Sequence, residues 1–119
     1  MQIPEEMIHY GMTKAAEIAL VNGLARLTRG TAVTVNAVLP GPTASEGVTE
    51  FVGALAANAK QTAGEFEQDF FRNVRPTSLL QRFATVEEIA LMVAFLCSPV
   101  ASATNGAAVR VDGGVLRAT

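Results

Sequence analysis

Tyr10 and Lys14 are the residues of this sequence whose types and spacing best suit proton transfer. Four residues apart on a helix, their side chains leave the same face one turn from each other. An ammonium beside a phenol favours the phenolate, so such a pair can work as a general acid and base near neutral pH. Both residue types are common, and Tyr-x-x-x-Lys by itself equally describes a packed tyrosine beside a solvated lysine. Other candidates read more blandly. His9 is the only histidine, so no histidine cluster for a metal can form around it, and no metal site is expected. Cys97, the single cysteine, has no internal disulfide partner and lies in an apolar run, where it reads as a small buried hydrophobe. Arg82 and Asp112 suit either a contact between subunits or the fixing of a loop. Asn36 suits a structural hydrogen-bonding role better than catalysis.

The elements that must position these residues follow from the apolar pattern. Residues 4–29 read as one long helix: Pro4 fits the first turn, Glu5 and Glu6 complement the positive end of the dipole, and Gly30 is placed to stop it. Its apolar residues cover most of the circumference, as in a helix packed on two sides. Residues 31–39 (TAVTVNAVL) form a β-branched run ended by Pro40, Gly41 and Pro42, which predicts a strand entering a rigid turn, buried on both faces as in a parallel sheet. Residues 46–73 carry a weak helical pattern, read as one or two mobile helices forming a lid or flap. Residues 74–84 contain Pro76 and read as a loop. Thr85 and Glu88 match a capping box ahead of the apolar run 89–97, the helix ending near Ser98 and Pro99. A polar loop with Asn105 and Gly106 leads to a second strand at 107–111, before Asp112, Gly113 and Gly114.

Composition narrows the classes. The 119 residues suit one modest domain, and 50% of them are apolar, which excludes a disordered chain and is high for a free monomer of this size. Some of the intended burial is therefore expected outside the chain. Nine basic and eleven acidic residues are scattered for a net charge of −2, which leaves no electrostatic footprint for nucleic acid. No apolar run approaches the roughly 20 residues of a membrane span, and no signal peptide is visible, so a soluble cytoplasmic protein is expected.

Four landmarks then occur in order: YGMTK at 10–14, VNAVLPGPT at 35–43, RFATVEEIA at 82–90 and VDGG at 111–114. This series resembles the second half of the short-chain dehydrogenase/reductases of the Tyr-x-x-x-Lys type, over nearly the whole chain. The resemblance implies an α/β fold, the C-terminal half of a doubly wound, Rossmann-like parallel sheet with two main strands and flanking helices. It implies a single truncated domain over 1–119: helix, strand and Pro-Gly turn at 1–43, flap at 44–84, last helix and strand at 85–119. It further implies an NAD(P)-dependent oxidoreductase that interconverts carbonyl and alcohol by hydride transfer. In that family Tyr10 would exchange the substrate proton, and Lys14 would assist it and hold the nicotinamide ribose. Pro40 and Gly41 would lie along the nicotinamide, where close backbone approach suits glycine. Thr43 would contact the coenzyme, with Ser45 competing for that role. The family's glycine-rich turn, its substrate-orienting serine and its active-site asparagine have no counterpart here. The chain alone is therefore expected not to bind NAD or NADP and to be inactive. The alternative is a non-catalytic, self-associating remnant, and a homo-oligomer, dimer or tetramer, is expected on either reading.

Overall fold

A computed structural model describes residues 5–117, so Pro4 lies outside the described residues. Its elements are a 3-10 turn (Glu5–Met7), α1 (Ile8–Leu27), β1 (Ala37–Pro40), α2 (Glu46–Asn58), α3 (Ala63–Asp69), a π-helical turn (Phe70–Val74), α4 (Val86–Leu96), a 3-10 turn (Pro99–Ala101) and β2 (Ala108–Val111). β1 and β2 pair as a two-stranded parallel sheet, the partial Rossmann-like arrangement expected. The chain divides into two compact units. One is built from the chain up to Leu39 with Leu91–Arg110, the other from Pro40–Ala90 with the chain from Val111.

In the first unit α1 realises the long helix, closing where Thr28 returns its amide and its hydroxyl to the Ala25 carbonyl and Gly30 takes φ +76°. Within the chain α1 is largely uncovered: among its described residues only Gly11 is buried, while Ile8, Met12, Leu20 and Leu27 are each more than 60% exposed. The strand is also shorter than the β-branched run suggests. Residues 31–36 are irregular because side chains replace a ladder there. Thr31 Oγ1 donates to the Thr28 carbonyl and accepts from the Val33 amide, and Asn105 Oδ1 accepts from the Val35 amide. Asn36 does the work anticipated for it, donating to the Thr104 carbonyl at 2.8 Å and accepting from the Ala107 amide at 3.0 Å. One backbone bond, from the Gly106 amide to the Val35 carbonyl at 2.9 Å, precedes the strand, which begins at Ala37 with its amide on the Ala107 carbonyl at 2.8 Å. Cys97 is exposed, against the expected burial, because α4 ends at Leu96 and it is Leu96 that turns inward.

In the second unit the weak pattern at 46–73 resolves into two helices and a π turn. Thr62 opens α3 with a full capping box: its hydroxyl accepts from the Glu65 amide and the Glu65 carboxylate accepts from the Thr62 amide. Gln61 Nε2 ties the α2–α3 corner to Asp69 at 2.7 Å. Beyond it Phe71, 1% exposed, sits edge-on to both Phe70 and Phe83 with ring centroids 5.1 Å apart in each pair, and Phe70 stacks on Phe83. This aromatic trio fixes the end of the helical segment to the loop at 75–85. The expected Thr85–Glu88 box is present, with reciprocal bonds of 2.8 and 3.2 Å.

The same unit holds three chain segments together by backbone bonds. The Gly41 amide reaches the Val111 carbonyl; the Leu79 and Leu80 amides converge on the Gly113 carbonyl; Ala84 donates to Pro42 and accepts from Ala44. Gly113 and Gly114 have φ of +62° and +76°, and a Cβ on either would stand within 2.8 Å of the Leu80 or Leu79 side chain, so both conformation and space require glycine.

Candidate functional site

In the first unit α1 carries Tyr10 and Lys14 on one face, as their spacing requires, with the ammonium 5.8 Å from the centre of the phenol ring. Tyr10 is about half exposed, so a reactant has access to its ring. Lys14 Nζ donates to both oxygens of Glu17, at 2.8 and 3.0 Å. That hydrogen bond is the main cause raising the lysine above its ordinary value; desolvation comes second and opposes it, and the charges of Glu17 and Tyr10 add smaller upward pulls. The ammonium is thus firmly charged. Glu17 was missed in the sequence reading; its signal was the Lys-x-x-Glu spacing, which puts opposite charges one turn apart on a helix. A hollow in this unit of about 190 Å³ is lined by Asn22, Ala25, Arg26, Asn105 and Gly106, away from the Tyr10–Lys14 pair in sequence and in lining. His9 is exposed, and among the described residues no cluster of His, Cys, Asp or Glu is disposed to hold a metal.

The second unit holds Gly41 and Thr43, just past the end of β1 at Pro40. The structure supplies a different reason for glycine at 41 from the one the resemblance suggested. A Cβ there would meet Asp112 Cα and O at 2.7 Å and Asp112 C at 2.9 Å, so the space is filled by the protein's own backbone. Its φ is not positive, and room rather than conformation is what excludes a side chain. Thr43 Oγ1 donates to the Gly41 carbonyl at 2.9 Å, which fixes the hydroxyl over the turn. Ser45 precedes α2 without a side-chain cap bond, its amide on the Thr43 carbonyl at 2.9 Å. Beyond the turn Ala44, Glu46, Thr49, Glu50 and Val86 line an open hollow of about 550 Å³.

Arg82 and Asp112 both fix loops. The Arg82 guanidinium makes a paired contact with Glu88 (2.8 and 2.9 Å) and donates to the Phe83 carbonyl (2.9 Å). That pairing, with the Thr85 amide second, holds the Glu88 carboxyl down at about 2. Asp112 accepts from the Gly114 and Leu116 amides, closing the turn that Gly113 makes possible.

Residues 1–116 match the family described as Enoyl-(Acyl carrier protein) reductase. The chain is 52% identical over 111 residues to the uncharacterized oxidoreductase YvrD of Bacillus subtilis and 47% identical over 113 residues to YvaG of the same organism. These matches cover 93% and 95% of this chain but 42% and 43% of the relatives. Among solved structures, L-sorbose reductase from Gluconobacter frateurii, complexed with NADPH and L-sorbose, superposes with a TM-score of 0.81 at 28% identity, over 92% of this chain and 41% of that one. The chain belongs to the short-chain dehydrogenase/reductases and corresponds to the C-terminal half of that family's sequence. It spans less than half the length of the curated relatives it matches. No described helix is long and apolar enough to cross a membrane.

Proposed function

We propose that this chain contributes the proton-transfer pair of an NAD(P)-dependent oxidoreductase that interconverts a small carbonyl compound and its alcohol. The observation that carries the reading is the charged Lys14 ammonium held 5.8 Å from the Tyr10 ring on one helical face, in a chain of this family. Tyr10 gives its hydroxyl proton to the carbonyl oxygen in reduction and takes it back in oxidation, while Lys14 stabilises the phenolate between the two. A bound nicotinamide supplies or accepts the hydride at the carbonyl carbon. The donor set of Lys14 suits a ribose: two N–H groups face Glu17, and an ammonium has three. Pro40 and Gly41 line the coenzyme through backbone, and Thr43, whose oxygen can still accept a hydrogen bond, contacts it. NADPH in the L-sorbose reductase complex supports a nicotinamide coenzyme without choosing between NAD and NADP here.

The 119 residues contain no glycine-rich turn that could cradle a pyrophosphate, so by themselves they neither bind the coenzyme nor turn over. The test is a graft: this sequence in place of the matching 111 residues of YvrD, assayed for NADH and NADPH oxidation against a panel of small aldehydes and ketones. Turnover that Tyr10→Phe abolishes supports the reading; turnover indifferent to Tyr10→Phe and Lys14→Met overturns it. Self-association is a second reading, favoured by the exposed Ile8, Met12, Leu20, Leu91 and Phe95. Sedimentation of the chain at micromolar concentration should show a dimer or tetramer, and a stable monomer would refute it.

A further inference from the structure

The turn at residues 41–44 has no side-chain ion pair of its own, yet its backbone is tied to a segment held by the Arg82–Glu88 pair and by charged side chains bonded to its backbone. Ala84, 5% exposed, forms a parallel bridge with Thr43: its amide donates to Pro42 at 2.9 Å and its carbonyl accepts from Ala44 at 2.8 Å. Each residue beside Ala84 is pinned by a carboxylate or a guanidinium. Glu67 on α3 accepts from the Phe83 amide at 2.8 Å, Arg82 donates to the Phe83 carbonyl at 2.9 Å, and Glu88 accepts from the Thr85 amide at 2.8 Å. Arg82 joins two of these by its paired bonds to Glu88. Before it, Gln81 holds φ +54°, a conformation that costs a non-glycine residue about 1 kcal/mol or more and persists only where neighbours impose it. Here the neighbour is Ser78, which bonds both the backbone and the side-chain amide of Gln81.

We propose that Arg82, acting with Glu88, is a positioning residue for the 41–44 turn: the fork-shaped pair sets the 82–85 backbone, which in turn sets the register and rigidity of the Thr43 segment. The functional importance of that rigidity rests on the reading of the turn as a coenzyme contact; the brace itself does not. The guanidinium meets the two Glu88 oxygens through two separate nitrogens while one of them also donates to the Phe83 carbonyl. A lysine offers a single nitrogen and cannot reproduce that planar two-nitrogen fork.

The test is native-state amide exchange, followed by NMR on the full 119-residue chain. In Arg82→Ala the Ala44 and Ala84 amides should exchange about twofold to fivefold faster, with Arg82→Lys intermediate, while α1 and the Gly41 amide, which is held by Val111, keep their rates. The Thr43 Hα–Hβ coupling should move from a single-rotamer value toward an averaged one, a signature that general loss of stability does not give. Should Arg82→Ala loosen the whole chain, Glu88→Gln decides, since glutamine can still cap α4 but carries no charge for Arg82. Unchanged Ala44 exchange, or an unchanged Thr43 coupling, in a folded variant overturns the proposal. None of these readouts involves a coenzyme, so an inactive YvrD graft would count against the oxidoreductase reading alone.

Discussion

Replacing Gly41 with alanine separates two explanations of that glycine. If its purpose were only to let a nicotinamide approach the backbone, Gly41→Ala would leave the stability of the chain untouched. The structure says otherwise, since the new Cβ would lie 2.7 Å from two backbone atoms of Asp112. Carbon atoms in contact prefer about 3.5–4.0 Å, so the two segments must part by roughly 1 Å. Overpacking of this kind costs about 1–3 kcal/mol. Parting the segments also weakens the Gly41–Val111 hydrogen bond of 3.1 Å, worth about another 1 kcal/mol. The expected loss is about 2–4 kcal/mol, or a fall in Tm of roughly 10–15 °C for a chain of this size. Urea and thermal unfolding followed by circular dichroism measure both. Gly53→Ala is the control: it lies inside α2 with no heavy atom within 4 Å of the new Cβ, and should gain about 0.5–1 kcal/mol. A Gly41→Ala chain within about 0.5 kcal/mol of the original would refute the packing argument.

The remaining predictions concern single contacts. Asn36→Ala removes the bonds to Thr104 and Ala107 together and should destabilise the chain by about 1–3 kcal/mol in the same unfolding assay. Glu17→Gln should lower the pKa of Lys14 toward the ordinary lysine value, read by titrating the 13C resonance of its reductively methylated side chain in the variant and the original chain. The Glu88 carboxyl titrates at about 2 in the folded chain against an ordinary 4.5, so its pairing with Arg82 is fully stabilising above about pH 4.5 and fades as pH falls through about 2. Unfolding midpoints measured across that window should fall less in Arg82→Ala than in the original chain.

What the sequence made legible was local or ordered by motif. The Thr85–Glu88 box, the stop at Gly30 and the Tyr10–Lys14 face all depend on neighbours within one turn of helix, and each lies where the pattern puts it. The bonds that truncate the first strand depend on partners far along the chain. Asn105 meets Val35 across 70 residues and Asn36 meets Ala107 across 71, so nothing in TAVTVN reveals that side chains will replace a ladder there. Cys97 shows a related limit, because an apolar run cannot indicate which of two successive residues, Leu96 or Cys97, turns inward when the helix ends. The tie from Arg82 through Ala84 to the 41–44 turn was equally hidden. Its components are ordinary residues until the fold brings Ala84, 41 positions downstream, alongside Thr43 of the turn.

The claim on which the functional account rests is that the Tyr10 hydroxyl transfers the proton. The direct measurement is kcat of the YvrD graft with and without Tyr10→Phe, under saturating coenzyme and carbonyl substrate. Removal of a general acid should lower kcat by about 100-fold or more with the fold intact. Equal kcat in the two grafts would contradict the account.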